Sequence, residues 1–235
     1  MSRRIVILIV GVMGVMWVAP ARALAAPHAP TAPPTTARTA SAPTSAPVDQ
    51  TTPKGALKLL ARALEAGDRK TLLDLLHADS PSERKIAEAT AGLAEATAEL
   101  RRASLKTFGE TASRPLGVDL AAVGEAMARV DASTETIDGD KATVTSPVDP
   151  ADTLMLVQRD RKWRIPMAQI SGAVNADDLD KNLHDSSEQA KLLKALAVEV
   201  SAGKFKTAIE ARQALDKRII QSAMPQGAAA TMPAK

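Results

Sequence analysis

The stretch that decides the fold runs from Thr134 to Pro166 and reads TETIDGDKATVTSPVDPADTLMLVQRDRKWRIP. Within it, β-branched and apolar residues alternate with polar ones, and Asp, Gly and Pro residues separate the runs. This is the pattern of short strands joined by turns. Three strand-like runs are predicted at residues 142–145, 153–157 and 163–165. We therefore expect the sheet at about residues 132–167.

Helix signals lie on both sides of the predicted sheet. Thr52 caps a first helix, and Asp68 caps a second, leucine-rich helix that reaches His77. Ser80-Pro81-Ser82-Glu83 is a capping box with proline at the first helical position, and it opens a long helix over about 81–107. The sequence thus predicts an α+β fold in which helices pack on a small curved antiparallel sheet.

Two long helical stripes are expected to pack together. In the helix over 81–107 the stripe comprises Ile86, Ala89, Leu93, Ala96, Leu100 and Ala103. After the sheet, Asn175 caps another long helix and Gly203 ends it, so a C-terminal helical hairpin is predicted at about 176–222. Its stripe comprises Leu179, Leu183, Ser186, Ala190, Leu193, Ala197 and Val200. The two stripes are predicted partners, either inside one chain or across a homodimer.

The N-terminus has the pattern of an export signal. Arg3 and Arg4 precede an apolar run, and small residues follow it at cleavage-compatible spacing, so a signal peptide is predicted over 1–25. The protein is then exported, to the periplasm or the exterior. The alternative is an uncleaved membrane anchor, for which the apolar run is short, because a bilayer span needs about 20 residues.

Three further segments follow the signal. Residues 26–52 are a tract of Pro, Ala, Thr and Ser with almost nothing apolar to bury, which predicts a disordered tether. A single α+β domain is predicted over 53–222, and a disordered tail over 223–235.

Composition excludes several classes of function. Three of the 30 bases lie in residues 1–25 together with no acid, so bases and acids are equal in number in the remainder. Net charge therefore gives no support for nucleic-acid binding. The chain has no cysteine, and its three histidines and its turn aspartates lack metal-ligand spacing. No Gly-x-Ser-x-Gly element or Gly-rich phosphate loop occurs. We predict no catalytic residue, no metal and no cofactor.

Several short motifs are similar to those of a known family. Thr-Pro-Lys-Gly-Ala-Leu from residue 52, the turn Ala66-Gly67-Asp68, the hairpin Ile137–Val144 and the closing Asp160-Arg161-Lys162-Trp163-Arg164-Ile165 occur in this order. Together they resemble secreted bacterial proteins of the NTF2-like (cystatin-like α+β) superfamily. The resemblance covers 52–77 and 132–167, and it implies that the helix over 81–107 is an insertion and that 175–222 is an extension.

The resemblance implies a fold rather than a chemistry. Enzymes of that superfamily use a pocket with tyrosine donors and Asp or His acid-base groups, and this chain has no tyrosine. No position matches those catalytic roles. Many members are non-catalytic binding modules, and that is what the resemblance implies here.

Trp163 and His77 are the candidate ligand-binding residues. Trp163 lies in the closing strand, where it is either a ligand platform or a core anchor. His77 follows two leucines at the end of the second helix, where it is either a base at the mouth of a pocket or simply compatible with a helix C-terminus.

Three hypotheses about function follow. The first is an exported, non-enzymatic module that binds an unidentified protein or a small apolar ligand through the concave face of the sheet or the long helices. The second is an NTF2-like enzyme that acts on a small apolar molecule. The third is an envelope protein that forms a homodimer through its helical stripes. No nucleic-acid partner is expected, and membrane contact is expected only if the signal is not cleaved.

Overall fold

The computed structural model of the 235-residue chain describes residues 48–119, 121–171 and 176–223. The predicted signal peptide over 1–25, most of the predicted tether and most of the predicted tail lie outside the described residues, as does the predicted cap Asn175. The described residues form eight α-helices, one short 3-10 helix and an open five-stranded sheet. The α+β class predicted from the sequence is confirmed.

The helices in chain order are α1 (Pro53–Ala66), α2 (Arg69–Leu75), α3 (Pro81–Phe108), α4 (Glu110–Ser113), α5 (Ala121–Ala132), α6 (Met167–Ser171), α7 (Ala176–Ser201) and α8 (Ala208–Ala223). The 3-10 helix Arg114–Leu116 lies between α4 and α5. The strands are β1 (Leu76–His77), β2 (Thr134–Asp138), β3 (Lys141–Thr145), β4 (Thr153–Arg159) and β5 (Lys162–Pro166).

The sheet has the strand order β1-β5-β4-β3-β2. Strands β3, β4 and β5 correspond to the three predicted runs, and β2 adds a fourth antiparallel strand inside the predicted sheet region. The β4–β5 turn holds Asp160 and Arg161 at φ 54° and 63°, as a type I′ hairpin turn requires. The expectation of a wholly antiparallel sheet is wrong, because β1 pairs with β5 in parallel. Leu76 and His77, predicted to end the second helix, instead run in extended conformation along the edge of β5.

The predicted helix starts are confirmed in atomic detail. The hydroxyl of Thr52 accepts a hydrogen bond from the N–H of Gly55 at 3.0 Å, and the carboxylate of Asp68 accepts one from the N–H of Thr71 at 3.0 Å. In the capping box, Ser80 Oγ accepts from the N–H of Glu83 at 3.1 Å. These bonds satisfy amide groups that have no partner inside their own helices.

A first core lies between the inner face of the sheet, α1, α2 and the N-terminal half of α3. We use "first core" for the buried residues Ala56, Leu60, Ala63, Leu64, Leu72, Leu75, Leu76, Ala87, Ala91, Ala94, Ala142, Val144, Leu156, Trp163, Ile165 and Met167. Burial of apolar surface on this scale is the main stabilising contribution to such a fold.

A second core lies between the C-terminal half of α3, the 3-10 helix, α7 and α8. We use "second core" for the buried residues Ala96, Leu100, Ala103, Leu116, Leu193, Leu196, Ala197, Val200, Ala208, Ala211 and Leu215. The C-terminal parts of the two predicted stripes, from Leu93 on α3 and from Ala190 on α7, therefore pack together inside one chain. Ile86, predicted in the α3 stripe, packs against the first core instead. Phe205 lies just before α8 and packs against the second core.

Helix α3 has two buried faces, of which the sequence indicated one. The second face consists of alanines spaced four and three apart, namely Ala87, Ala91, Ala94 and Ala98. These small side chains allow the α1–α2 turn to approach closely. A Cβ at Gly67, where φ is 66°, would lie only 2.6 Å from the Cβ of Ala98.

Gln50 contacts the part of the β5 edge that β1 does not cover. The N–H of Trp163 donates to the carbonyl of Gln50 at 2.9 Å, and Gln50 is buried. Thus residues at the end of the predicted tether contact the sheet beside β1.

Candidate functional site: the outer face and open edge of the sheet

The inner face of the sheet is filled by its own side chains and by the helices that cover it. Trp163 is 3% exposed and belongs to the first core together with Leu156 and Ile165. Of the two roles weighed for Trp163, its surroundings match a core anchor. An indole packed in this way has no free face to offer a ligand.

His77 lies at the edge of the sheet, opposite Pro166, three residues along β5 from Trp163. Its main chain pairs with Pro166, and its side chain is 20% exposed. Its Nε2 atom lies 3.0 Å from Oδ1 of Asp79, which is itself exposed. The structure therefore does not bring the two candidate residues into one pocket.

The opposite side of the sheet, which we call the outer face, carries mostly polar side chains. Its members are Thr134, Thr136, Asp138, Lys141, Thr143, Thr145, Thr153, Met155, Val157, Arg159, Lys162 and Arg164. On β3, β4 and β5 they alternate with buried residues of the first core, as the period of two requires. Met155, near the centre, is 52% exposed. Sheets with one buried and one solvated face are typical of antiparallel meanders.

The β5 side of the outer face carries a group of linked charges around Asp74, and a separate ion pair lies on β4. Asp74, near the end of α2, lies 2.9 Å from Lys162 Nζ and 3.6 Å from a terminal nitrogen of Arg164. On β4, a hydrogen bond from Arg159, 2.8 Å from Oδ2 of Asp140, holds the pKa of the Asp140 carboxyl below its ordinary value. These pairs are exposed, so they contribute little to stability.

The β2 edge of the sheet is open. In the part of the chain that the structure describes, no strand pairs with the far side of β2. All of its residues except Glu135 are exposed, and Ile137 is 53% exposed. Glu135 is partly held by the fold, because its carboxylate accepts a hydrogen bond from the N–H of Lys54 at 3.2 Å.

Other features of the described residues lead to no site. No group of three or more His, Asp or Glu side chains among residues 48–119, 121–171 and 176–223 is placed to hold a metal ion. No described helix is long and apolar enough to cross a membrane. Comparison of the chain with protein-family models, with curated proteins and with solved structures gives no match.

The alternation that marks the outer face is present in the sequence. Lys141, Thr143 and Thr145 alternate with Ala142 and Val144, which is enough to assign the two faces of β3. This alternation alone does not identify a binding surface, because periodicity does not show which face the helices cover. That requires the packing of α1 and α3 against the sheet.

Proposed function

We propose that this chain is an exported, non-enzymatic binding module of NTF2-like type, with a C-terminal helical hairpin extension, that contacts its partner through the outer face of the sheet. One observation carries the choice of surface. The inner face is filled by the first core, with Trp163 packed inside it. The helical stripes, the other candidate surface, pack against each other in the second core.

The outer face has the character of an interaction surface of modest affinity. Threonine hydroxyls supply hydrogen-bonding groups around the exposed Met155, and the Lys162–Asp74 network lies to one side. A polar rim around a small apolar centre is the usual arrangement of protein interfaces.

Site-specific photocrosslinking tests this proposal in cells that export the protein. A photoreactive residue at position 155 is expected to form an adduct with the partner. The matched control is position 198 on α7, because Val198 is also an exposed apolar residue, at 70%. Adducts at 198 but not at 155 would move the binding surface to the helices, and adducts at neither would contradict the proposal. Recovery of the protein only in the cytoplasm would contradict export.

A further inference from the structure

The open edge of β2 presents backbone hydrogen-bonding groups in a regular pattern. The two-residue turn Gly139–Asp140 joins Asp138 to Lys141, and these two residues form a hydrogen-bonded pair. In an antiparallel ladder every second pair is hydrogen-bonded, so Thr136 and Thr134 also bond to their partners on β3. The N–H of Gln158 donates to the carbonyl of Asp140 at 2.7 Å. This bond shows that Asp140, and with it Ala142 and Val144, directs its main-chain groups toward β4, whereas Lys141 and Thr143 direct theirs toward β2. The N–H and C=O groups of Glu135 and Ile137 therefore point away from β3, toward the open edge.

The two ends of the sheet differ in how they are protected. At β5, the edge is covered by β1 and by Gln50, whose carbonyl accepts from the N–H of Trp163 at 2.9 Å. At β2, no described strand has this role, and at this edge the N–H of Lys54 donates to the side chain of Glu135. Natural sheets cover or charge their free edges because an exposed edge readily pairs with another strand.

The side chains of β2 specify what can pair with it. Ile137 stands at the end of a row that continues through Ala142 and Leu156 to Ile165, so its exposed surface extends the apolar first core. An added strand with an apolar residue opposite Ile137 would bury that surface. The β2 strand also contains two acids, Glu135 and Asp138, and no base.

We propose that the β2 edge takes up an extended peptide segment as a sixth strand, with basic residues opposite Glu135 and Asp138 and an apolar residue opposite Ile137. Main-chain bonds to Glu135 and Ile137 give the affinity, and the charges and the apolar contact give the selectivity. This inference names the partner chemistry for the proposed binding module and rests on that function.

Two end-capped synthetic peptides test the proposal on the chain that begins at residue 26. The first, Thr-Lys-Val-Thr-Lys-Thr, matches β2 in antiparallel register, and the second replaces both lysines by glutamate. Residue-resolved amide exchange is measured during titration of each. The basic peptide is expected to slow exchange at Glu135 and Ile137 and to bind at least about tenfold more tightly than the acidic one, because charged cross-strand pairs favour one and oppose the other.

Variants separate edge pairing from other contacts. Ile137→Pro removes an N–H that faces the open edge while leaving the β2–β3 bonds in place, so it is expected to abolish binding. If Ile137→Pro does not fold, Asp138→Lys serves instead and is expected to weaken binding of the basic peptide and strengthen that of the acidic one.

Three outcomes would overturn the proposal: no change in exchange at Glu135 and Ile137, equal binding of the two peptides, or unchanged binding by Ile137→Pro. If the exchange of these amides slows as the protein concentration rises, without any peptide, the strand that pairs with β2 would be supplied by a second copy of the chain. Crosslinking at position 155 does not depend on this edge, so the binding module can stand even if the peptide inference fails.

Discussion

The two ends of α3 are stabilised by different means. Its N-terminal half packs in the first core, and its middle, at Ala94, Glu95 and Ala98, meets the α1–α2 turn in backbone-close contact at Gly67. Helix α1 also buries the charged Lys58, which pairs with Asp131 of α5. Its C-terminal half packs in the second core, where aliphatic side chains meet and ion pairs stand around the rim. Examples are Lys194–Glu95 at 2.8 Å and Arg218–Glu199 at 2.6 Å.

The difference indicates how each half responds to change. Close backbone contact and a buried charge depend on one geometry, so the first core should tolerate few substitutions at those points. Side chains at a helix–helix contact can adjust, and the ion pairs at its rim are partly exposed. Substitutions in those ion pairs should therefore lower the free energy of unfolding only slightly. Because α3 runs through both, the two cores are expected to unfold in one transition.

Matched glycines give the largest expected contrast. Gly67 ends α1 and Gly203 ends α7, with φ of 66° and 71°. An added Cβ at Gly67 would lie 2.9 Å from the backbone of Glu95, whereas at Gly203 it meets nothing within 4 Å. Gly203→Ala is expected to cost about 1 kcal/mol of unfolding free energy from backbone strain. Gly67→Ala is expected to cost about 4 kcal/mol, since overpacking is added to strain. Urea denaturation measures both, and equal losses would contradict the close approach.

A leucine in the second core tests whether the cores unfold together. Leu196 is fully buried, and Leu196→Ala is expected to lower the unfolding free energy by about 3 kcal/mol. Val198→Ala is the control, with a change below about 0.5 kcal/mol, because Val198 is largely exposed.

Two probes are followed in that experiment. In a chain without residues 1–25, Trp163 is the sole tryptophan and reports on the first core, while far-UV circular dichroism reports on all helices. Both midpoints are expected to shift together in Leu196→Ala. A shift in dichroism with unchanged Trp163 fluorescence would show that the cores are independent.

The buried ion pair of Lys58 and Asp131 sharpens the contrast in electrostatics. Lys58 is 2% exposed, and its Nζ lies 2.5 Å from Oδ1 of Asp131, at the end of α5. Asp131→Asn keeps the volume but removes the negative charge that faces a buried ammonium, so a loss of about 2 kcal/mol is expected. Lys58→Met removes the buried charge and leaves the carboxylate of Asp131, which is 26% exposed and can be hydrated, so a smaller loss of about 1 kcal/mol is expected. Thermal denaturation compares the two, and a greater loss in Lys58→Met would mean that the ion pair itself is strongly stabilising.

Local features of the fold were predictable, and tertiary ones were not. The caps at Thr52, Asp68 and Ser80 followed from sequence because a cap depends on residues within one turn. Strand β1 did not, because two residues such as Leu76 and His77 become a strand only when β5 lies beside them. The alanine face of α3 was missed because alanine is compatible with either core or surface, so it gives little periodic signal.

The candidate site was predictable only in part. The chemistry-bearing residues that sequence reasoning favoured, Trp163 and His77, are separated by the fold, and Trp163 is in the core. The alternation along β3 contains the information about the outer face. Which face stays open depends on where α1 and α3 pack, and an open edge at β2 depends on the strand order.

The smallest expected effect concerns pH and the rim of the second core. Hydrogen bonds from Lys204 and from Arg218 hold the pKa of Glu199 below its ordinary value, and one from Lys194 does the same for Glu95. A carboxyl whose pKa is lower in the folded state stabilises the protein above the unfolded-state pKa, and that contribution disappears as the pH falls through the folded-state pKa. Because both groups are partly exposed, each contribution is expected to be a few tenths of a kcal/mol.

The double variant Glu95→Gln with Glu199→Gln isolates this term. At neutral pH it is expected to be less stable than the parent chain by about 0.5 kcal/mol, and the difference should vanish at a pH well below both carboxyl pKa values. Urea midpoints at the two pH values, with salt held constant, measure it. If the stability difference between the variant and the parent chain persists in acid, the two glutamates act through packing rather than charge. The rim of the second core would then depend on precise geometry, as the contacts at Gly67 do.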